Sequence, residues 1–503
     1  MKWVTWLKRI VLSLLLLIVG ALGLRLYDIQ RGPELQLWHT WVPHEMDADE
    51  IDNADWNDYI NKENALFSEV KRQVTDKLDA EQQTELNRYY SHSPIYPDSF
   101  PTNWNRSYIM MPDGKPKGAV VLLHGLTDTP YSLRHIAENY RQQGYVAIGI
   151  RLPGHGTVPA GLTDVDWQDW LAATRLAVRE AKRLTGNDVP LHIVGFSNGG
   201  ALAMKYSLDA LDNAELAKPQ RVILISPMIG ITSFARFSGL AGWPAFLPAF
   251  SKAAWLNIMP EFNPFKYNSF PTNAARQSFL LTKALQKQIV TDSRNHRLNS
   301  LPPVLTFQSV VDSTVSTRAI VTALYNRLPE NGSEIVLFDL NHAVRFNSLL
   351  RRTSYTALAR LLPALARLLP ALARLLPAPP RAYQTTIITN ANSASTDMEI
   401  RTTPAGKTDT TVEKLQGMRY LPDVYSLSHV ALPFPLSDSL YGRYPHPLNQ
   451  YGISLGTFAA RGERSVLVVG LDSLMRQSSN PFFPYMIKRI DEGIDTRPAL
   501  SGK

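Results

Sequence analysis

A serine between glycines, at the end of an apolar run, is the clearest chemical signal in the chain. Leu191-His192-Ile193-Val194-Gly195-Phe196 reads as a buried strand. Ser197-Asn198-Gly199-Gly200-Ala201-Leu202-Ala203 breaks it and resumes as a helix former. At a strand-to-helix turn of this kind the serine takes a strained backbone conformation that lifts its hydroxyl above the sheet. Gly195 and Gly199 leave room where a β-carbon would clash. Ser197 is therefore the candidate nucleophile. A bare Gly-x-Ser-x-Gly also arises as an ordinary glycine-rich turn, so its surroundings carry the decision. The chemistry in question is acyl transfer. It needs a base to take the hydroxyl proton, a carboxylate to orient that base, and backbone N–H groups for the oxyanion.

The elements that would position these groups recur upstream. Gly118-Ala119-Val120-Val121-Leu122-Leu123 is a second buried-strand run and ends in His124-Gly125. A third, over residues 145–150, ends in Arg151-Leu152-Pro153-Gly154-His155-Gly156. Further strands are expected at 107–111, 221–226, 303–315 and 334–340, and helices at 130–143, 167–184 and 317–327. Such alternation demands a mostly parallel sheet flanked by helices. The order strand, His-Gly loop, helix, strand, Leu-Pro-Gly-His-Gly loop, helix, strand, serine turn resembles the α/β-hydrolases. Over residues 107–345 it is similar to their monoacylglycerol-lipase and carboxylesterase branch.

That resemblance implies an α/β fold, an acyl-serine intermediate, no cofactor and no metal. It places the oxyanion donors at the backbone N–H of Leu126 and Asn198 and the triad acid at Asp312. A lone strand-end aspartate more often caps the next helix, so the chain order of Ser197, Asp312 and then a histidine supports the assignment. Two histidines satisfy that order, His342 and His429. A base at residue 342 would leave residues 343–503, with strand-like runs of their own, without an evident purpose. The segment Ser428-His429-Val430-Ala431-Leu432-Pro433-Phe434-Pro435, followed by Leu440-Tyr441-Gly442, also resembles the C-terminal part of long, membrane-anchored bacterial hydrolases. His429 is therefore expected as the base, with His342 as the alternative. His124 and His155 precede Ser197 and are expected to fix loops through hydrogen bonds.

With 503 residues the chain can bury a large core, and its 45% hydrophobic content is that of a globular protein. The absence of cysteine excludes disulfides, thiolate nucleophiles and cysteine-bound metals. No His-Glu-x-x-His or similar ligand spacing occurs among the 11 histidines. A net charge of +8 without a long Lys/Arg block argues against nucleic acid and for general attraction to an anionic membrane surface.

Residues 1–30 read as a membrane segment. Lys8-Arg9 precede a charge-free run over residues 10–24, short for a span and suited to a secretory signal. Interfacial Trp3 and Trp6 and the cationic pair favour an uncleaved anchor with a cytoplasmic N-terminus. The expected location is the bacterial inner membrane with a periplasmic catalytic domain, or the periplasm after cleavage.

Residues 31–105 read as a neck, helical over 63–86, with Trp38, Trp41, Trp56 and Trp104 as docking anchors. Residues 106–350 form the expected hydrolase core. Its Phe/Trp-rich insertion at about 228–302 is read as a cap that would suit an apolar acyl group. Residues 357–377 repeat Ala-Leu-Ala-Arg-Leu-Leu-Pro three times. A proline in every repeat opposes a continuous coiled coil, so 351–383 reads as a linker. In the C-terminal extension, 384–503, strand character is expected at 385–389, 424–430 and 465–470, and the polar stretch 390–409 reads as loop.

The combined expectation is a serine hydrolase of carboxylic esters, acylglycerol or otherwise lipid-like. An amide or peptide hydrolase shares the same motifs. A non-catalytic binding module of the cell envelope is the reading from another class.

Overall fold

The computed structural model describes residues 32–230, 248–310, 312, 314–340, 375–391, 396–419, 425–427, 429–443, 463–464 and 472–494, with scattered positions between 3 and 27. His342, most of the heptad repeat, residues 465–470 and most of residues 1–30 lie outside them. Among the described residues no helix is long and apolar enough to cross a membrane.

Helix α1 (Trp56–Gln73) is started by Asp55, whose carboxylate accepts from the Asp58 amide while Asp58 returns a bond to the Asp55 N–H. The helix expected over 63–86 thus begins earlier and ends earlier. Beyond Gln73 the backbone departs from helical angles at Val74, and reciprocal Asp79–Gln82 bonds stabilise turns instead.

The core follows as β1 (Tyr108–Met110), β2 (Gly118–Leu123), α2 (Arg134–Gln142), β3 (Tyr145–Ile150), α3 (Trp167–Thr185), β4 (Leu191–Phe196), α4 (Asn198–Asp212), β5 (Arg221–Ile225), α5 (Thr272–Arg294), β6 (Val304–Ser309) and β7 (Glu334–Asp339). Residues 317–327 form a mixed α, π and 3-10 turn sequence rather than one regular helix. Strands β8 (Gln384–Asn390), β9 (Asp397–Thr403) and β10 (Thr411–Arg419) continue the same sheet. Its order among the described residues is β1-β3-β2-β4-β5-β6-β7-β8-β9-β10. Pairing from β3 to β8 is parallel; β1, β9 and β10 are antiparallel.

The central strands are apolar runs because both faces are covered. In β2, Ala119, Val121 and Leu123 join the core under α3, α4 and α5, while Val120 and Leu122 join the opposite core under α2. That second face is completed by α6 (Phe483–Asp491), near the C-terminus. Phe482 lies 5.8 Å from Phe338, and Arg221 donates to the carbonyls of Arg489 and Ile490. The C-terminal extension is therefore part of the core packing.

The stretch read as loop over 390–409 contains β9. Its side chains are mostly polar because only Met398 and Thr403 are buried. Its strand character comes from ladder bonds to β8 and β10, which hydrophobic patterning does not report.

The N-terminal extension is fastened by charge. Arg151, at the end of β3, donates from Nη1 and Nη2 to the two Glu45 oxygens at 2.9 Å each and from Nε to Glu63 at 3.1 Å. All three side chains are almost fully buried. Removing the guanidinium strands two buried carboxylates, so Arg151→Met should destabilise the fold by about 3–5 kcal/mol. Urea unfolding tests this, and a wild-type midpoint would show the contacts to be energetically idle.

Candidate functional site

The site lies at the carboxyl ends of β2 and β4. The chain leaves β2 toward β3 on one side and returns to β4 on the other, which opens a crevice where the strand order reverses. The serine turn occupies it. Ser197 has φ 55° and ψ −114°, outside the regions a serine ordinarily adopts, at a cost of about 1–3 kcal/mol. The turn is held by Ser197 N–H donating to Ile225 O at 3.0 Å and by Met228 N–H donating to Ser197 O at 2.9 Å. A β-carbon on Gly195 would sit 2.3 Å from Gly199 O, and one on Gly199 would sit 2.0 Å from Leu123 O. The two glycines are required by contact, as the motif implied.

The His-Gly loop is pressed against the serine. A β-carbon on Gly125 would meet Ser197 Cβ at 3.2 Å. Thr127 takes a positive φ of 61° to turn the loop, and its carbonyl accepts from Tyr267 N–H at 2.8 Å, so the insertion holds it. The amides of Leu126 and Asn198 have no partner among the described residues. Both are available donors beside the serine.

His124 and His155 fix these loops. His124 Nε2 accepts from the Leu152 amide at 3.1 Å, so Nδ1 carries the proton and donates to Gly125 O at 2.9 Å. Burial, then the neighbouring His155, hold His124 well below the usual histidine range; burial takes His155 down to about 3. Neither is placed to exchange protons at neutral pH.

Strand β6 ends at Ser309, and Asp312 lies in the loop beyond it rather than at the strand end. Its Oδ1 accepts the amides of Thr314 at 2.8 Å and Val315 at 3.0 Å. Its Oδ2 accepts from His429 Nδ1 at 3.2 Å and from Gln308 Nε2 at 3.2 Å. Burial works to raise the Asp312 carboxyl, but His429 and the two amides outweigh it and hold it below the usual range. The His429 ring packs 5.1 Å from that of Phe196, the residue before Ser197. The fold thus brings Asp312 and His429 together beside the serine turn. His342, the alternative base, lies outside the described residues.

Buried groups without a sequence signal complete the surroundings. Gln308 shares the Asp312 oxygen that His429 uses. Asp128, in the His-Gly loop, is buried and its carboxyl raised by that burial. The insertion buries Trp255, Phe265 and Tyr267, whereas Phe234, Phe237, Trp243 and Phe246 lie outside the described residues. Among the described residues no cluster of His, Asp or Glu could hold a metal ion.

Known proteins match this core. A family model described as "Serine aminopeptidase, S33" matches residues 114–339. The thermostable monoacylglycerol lipase of Bacillus sp. (strain H-257) is 34% identical over 85 residues, 17% of this chain and 33% of its own length. The chain thus spans about a third of that relative. Among solved structures, Est1E of Butyrivibrio proteoclasticus with ferulic acid bound is 20% identical, with a TM-score of 0.34 over 46% of this chain and 84% of its own. The monoacylglycerol lipase of Paleococcus ferrophilus is 17% identical, with a TM-score of 0.34 over 46% and 86%. Together the strand topology and the family match show an α/β-hydrolase fold and support an enzyme of the serine-hydrolase type.

Proposed function

We propose that the protein hydrolyses carboxylic esters, acylglycerols or other lipid-like esters, through an acyl-serine intermediate. The observation that carries this reading is the Asp312–His429 hydrogen bond beside the strained Ser197 turn. Ser197 Oγ attacks the ester carbonyl as His429 Nε2 takes its proton. The carbonyl oxygen gains the negative charge and is met by the amides of Leu126 and Asn198. As the C–O bond breaks, His429 returns the proton to the leaving alkoxide. Water then attacks the acyl-serine by the same path and releases the acid. Asp312 holds the imidazole so that Nδ1 keeps its proton and Nε2 is the reacting nitrogen.

The ester preference rests on the likeness to a monoacylglycerol lipase. An amide or peptide substrate is the second reading, favoured by the description of the matching family model. Residues 1–30 are proposed as the membrane anchor or signal that would put the site in the periplasm. That proposal rests on the cationic pair ahead of the apolar run.

The test is p-nitrophenyl ester hydrolysis across acyl lengths, set beside aminoacyl p-nitroanilides and fluorophosphonate labelling. Ester turnover with labelling supports the proposal. Anilide turnover alone would move the protein to amide chemistry. Neither turnover nor labelling would favour a binding module.

A further inference from the structure

Ser197 and Asp312 follow strands of the large sheet, so their spacing is set by strand register. His429 is placed differently. The short strand before it, β11 (Tyr425–Leu427), pairs in parallel with β12 (Asp472–Gln477) in a separate three-stranded sheet. Ladder bonds of the main sheet do not position the candidate base. Some other contact must fix it against the serine to the few tenths of an ångström that proton transfer requires.

Asp438 supplies one. Its side chain is fully buried, nine residues beyond His429 in a compact turn in which Phe434 N–H donates to Ala431 O and Asp438 N–H donates to Pro435 O. Oδ1 accepts the amides of Leu440 at 2.9 Å and Tyr441 at 2.8 Å and the Tyr131 hydroxyl at 3.0 Å. Oδ2 accepts from Arg134 Nη2 at 2.7 Å and His135 Nε2 at 3.0 Å. Burial works to raise this carboxyl, but Arg134 and His135 outweigh it and hold it far below the usual range, so it stays charged. Tyr131 lies in the 3-10 turn Pro130–Leu133, directly after the loop that carries Leu126, and Arg134 and His135 open α2 behind it. Arg134 is itself fixed, its guanidinium 3.6 Å over the Tyr131 ring and bonded to the Tyr131 carbonyl and hydroxyl. Around the carboxylate, Tyr131 stacks on Phe265 at 4.6 Å, and Phe434 and Tyr441 lie 4.9 Å apart.

We propose that Asp438 is a positioning residue that locks the His429 segment to the helix behind the oxyanion loop, holding base and oxyanion donors in register. This rests on the serine-hydrolase reading above. A buried ion pair is a poor source of stability, because desolvation offsets most of its attraction. It is strongly directional, however, since three of the five donors to Asp438, on Tyr131, Arg134 and His135, come from the other segment and together admit one arrangement of the two. An apolar pair of similar volume could hold the segments together without selecting that arrangement.

This difference provides the experiment on the full chain, reading kcat, KM, melting temperature and fluorophosphonate labelling for each protein. Asp438→Asn is expected to lower kcat by about 10- to 100-fold with KM changed little, because a misplaced base harms the transition state more than ground-state binding. The apolar double variant Arg134→Met/Asp438→Leu should regain melting temperature over Asp438→Asn while kcat stays low. Tyr131→Phe removes the hydroxyl that donates to Asp438 and accepts from Arg134, but no charge, and should lower kcat a few-fold with a smaller fall in melting temperature than Asp438→Asn. Wild-type kcat in Asp438→Asn, or recovery of kcat together with stability in the double variant, would overturn the positioning role and leave the hydrolase reading intact. If the Tyr131→Phe and Asp438→Asn losses only track melting temperature, the role is structural and the proposal fails. A wild-type protein that neither labels nor turns over ester would overturn the hydrolase reading and the proposal with it.

Discussion

Ser197→Ala is expected to lower kcat for ester hydrolysis by about 10⁴-fold or more and to abolish fluorophosphonate labelling, with the melting temperature within a few degrees of wild type. The small effect on stability follows from the turn itself. Its strain lies in the backbone, with φ at 55°, and is held by the Ile225 carbonyl and the Met228 amide, bonds that alanine keeps. What alanine removes is the oxygen that becomes the acyl ester. Some catalysis above the uncatalysed rate should survive, because the Leu126 and Asn198 amides can still bind an oxyanion for attack by water. A Ser197→Ala protein with a tenth of wild-type activity would sink the nucleophile assignment.

The second large effect is expected at His429. His429→Ala should lower kcat by about 10⁴-fold, because the hydroxyl loses its proton acceptor and Asp312 is left as a buried carboxylate without its imidazole partner. His342→Ala, measured in parallel, should retain activity within a few-fold of wild type. Imidazole added to the His429→Ala protein offers a further readout, since the cavity left by the ring lies between Phe196 and Asp312. Loss of turnover in His342→Ala with activity kept in His429→Ala would reverse the assignment and return the C-terminal extension to a purely structural role.

Much of the core was legible from residue order. Strands β2, β3 and β4 are unbroken apolar runs bounded by turn signals, and such runs are buried on both faces in a parallel sheet. The serine turn was legible for a stronger reason. Its two glycines answer contacts of 2.3 Å and 2.0 Å that no other residue could tolerate, so the constraint is written at fixed offsets from Ser197. The β9 strand was missed because ladder bonds form between backbones and leave a mostly polar strand without a pattern. The end of α1 was misjudged because a helix continues in sequence pattern further than its caps allow.

What the sequence by itself determined is therefore local: the strands that must be buried, the turn that must carry glycine, and the chain order of Ser197, Asp312 and two candidate histidines. Tertiary structure alone decided which distant groups meet. Asp312 and His429 are 117 residues apart in the chain, and Arg134 and Asp438 are 304 apart. Each pair is joined by the docking of one segment on another. Burial and backbone strain act on a residue through its immediate neighbours and leave a periodic or positional trace. A hydrogen bond between two separately folded segments depends on the packing of everything between them, so chain order can nominate its partners, as it did Asp312 and two histidines, but cannot join them.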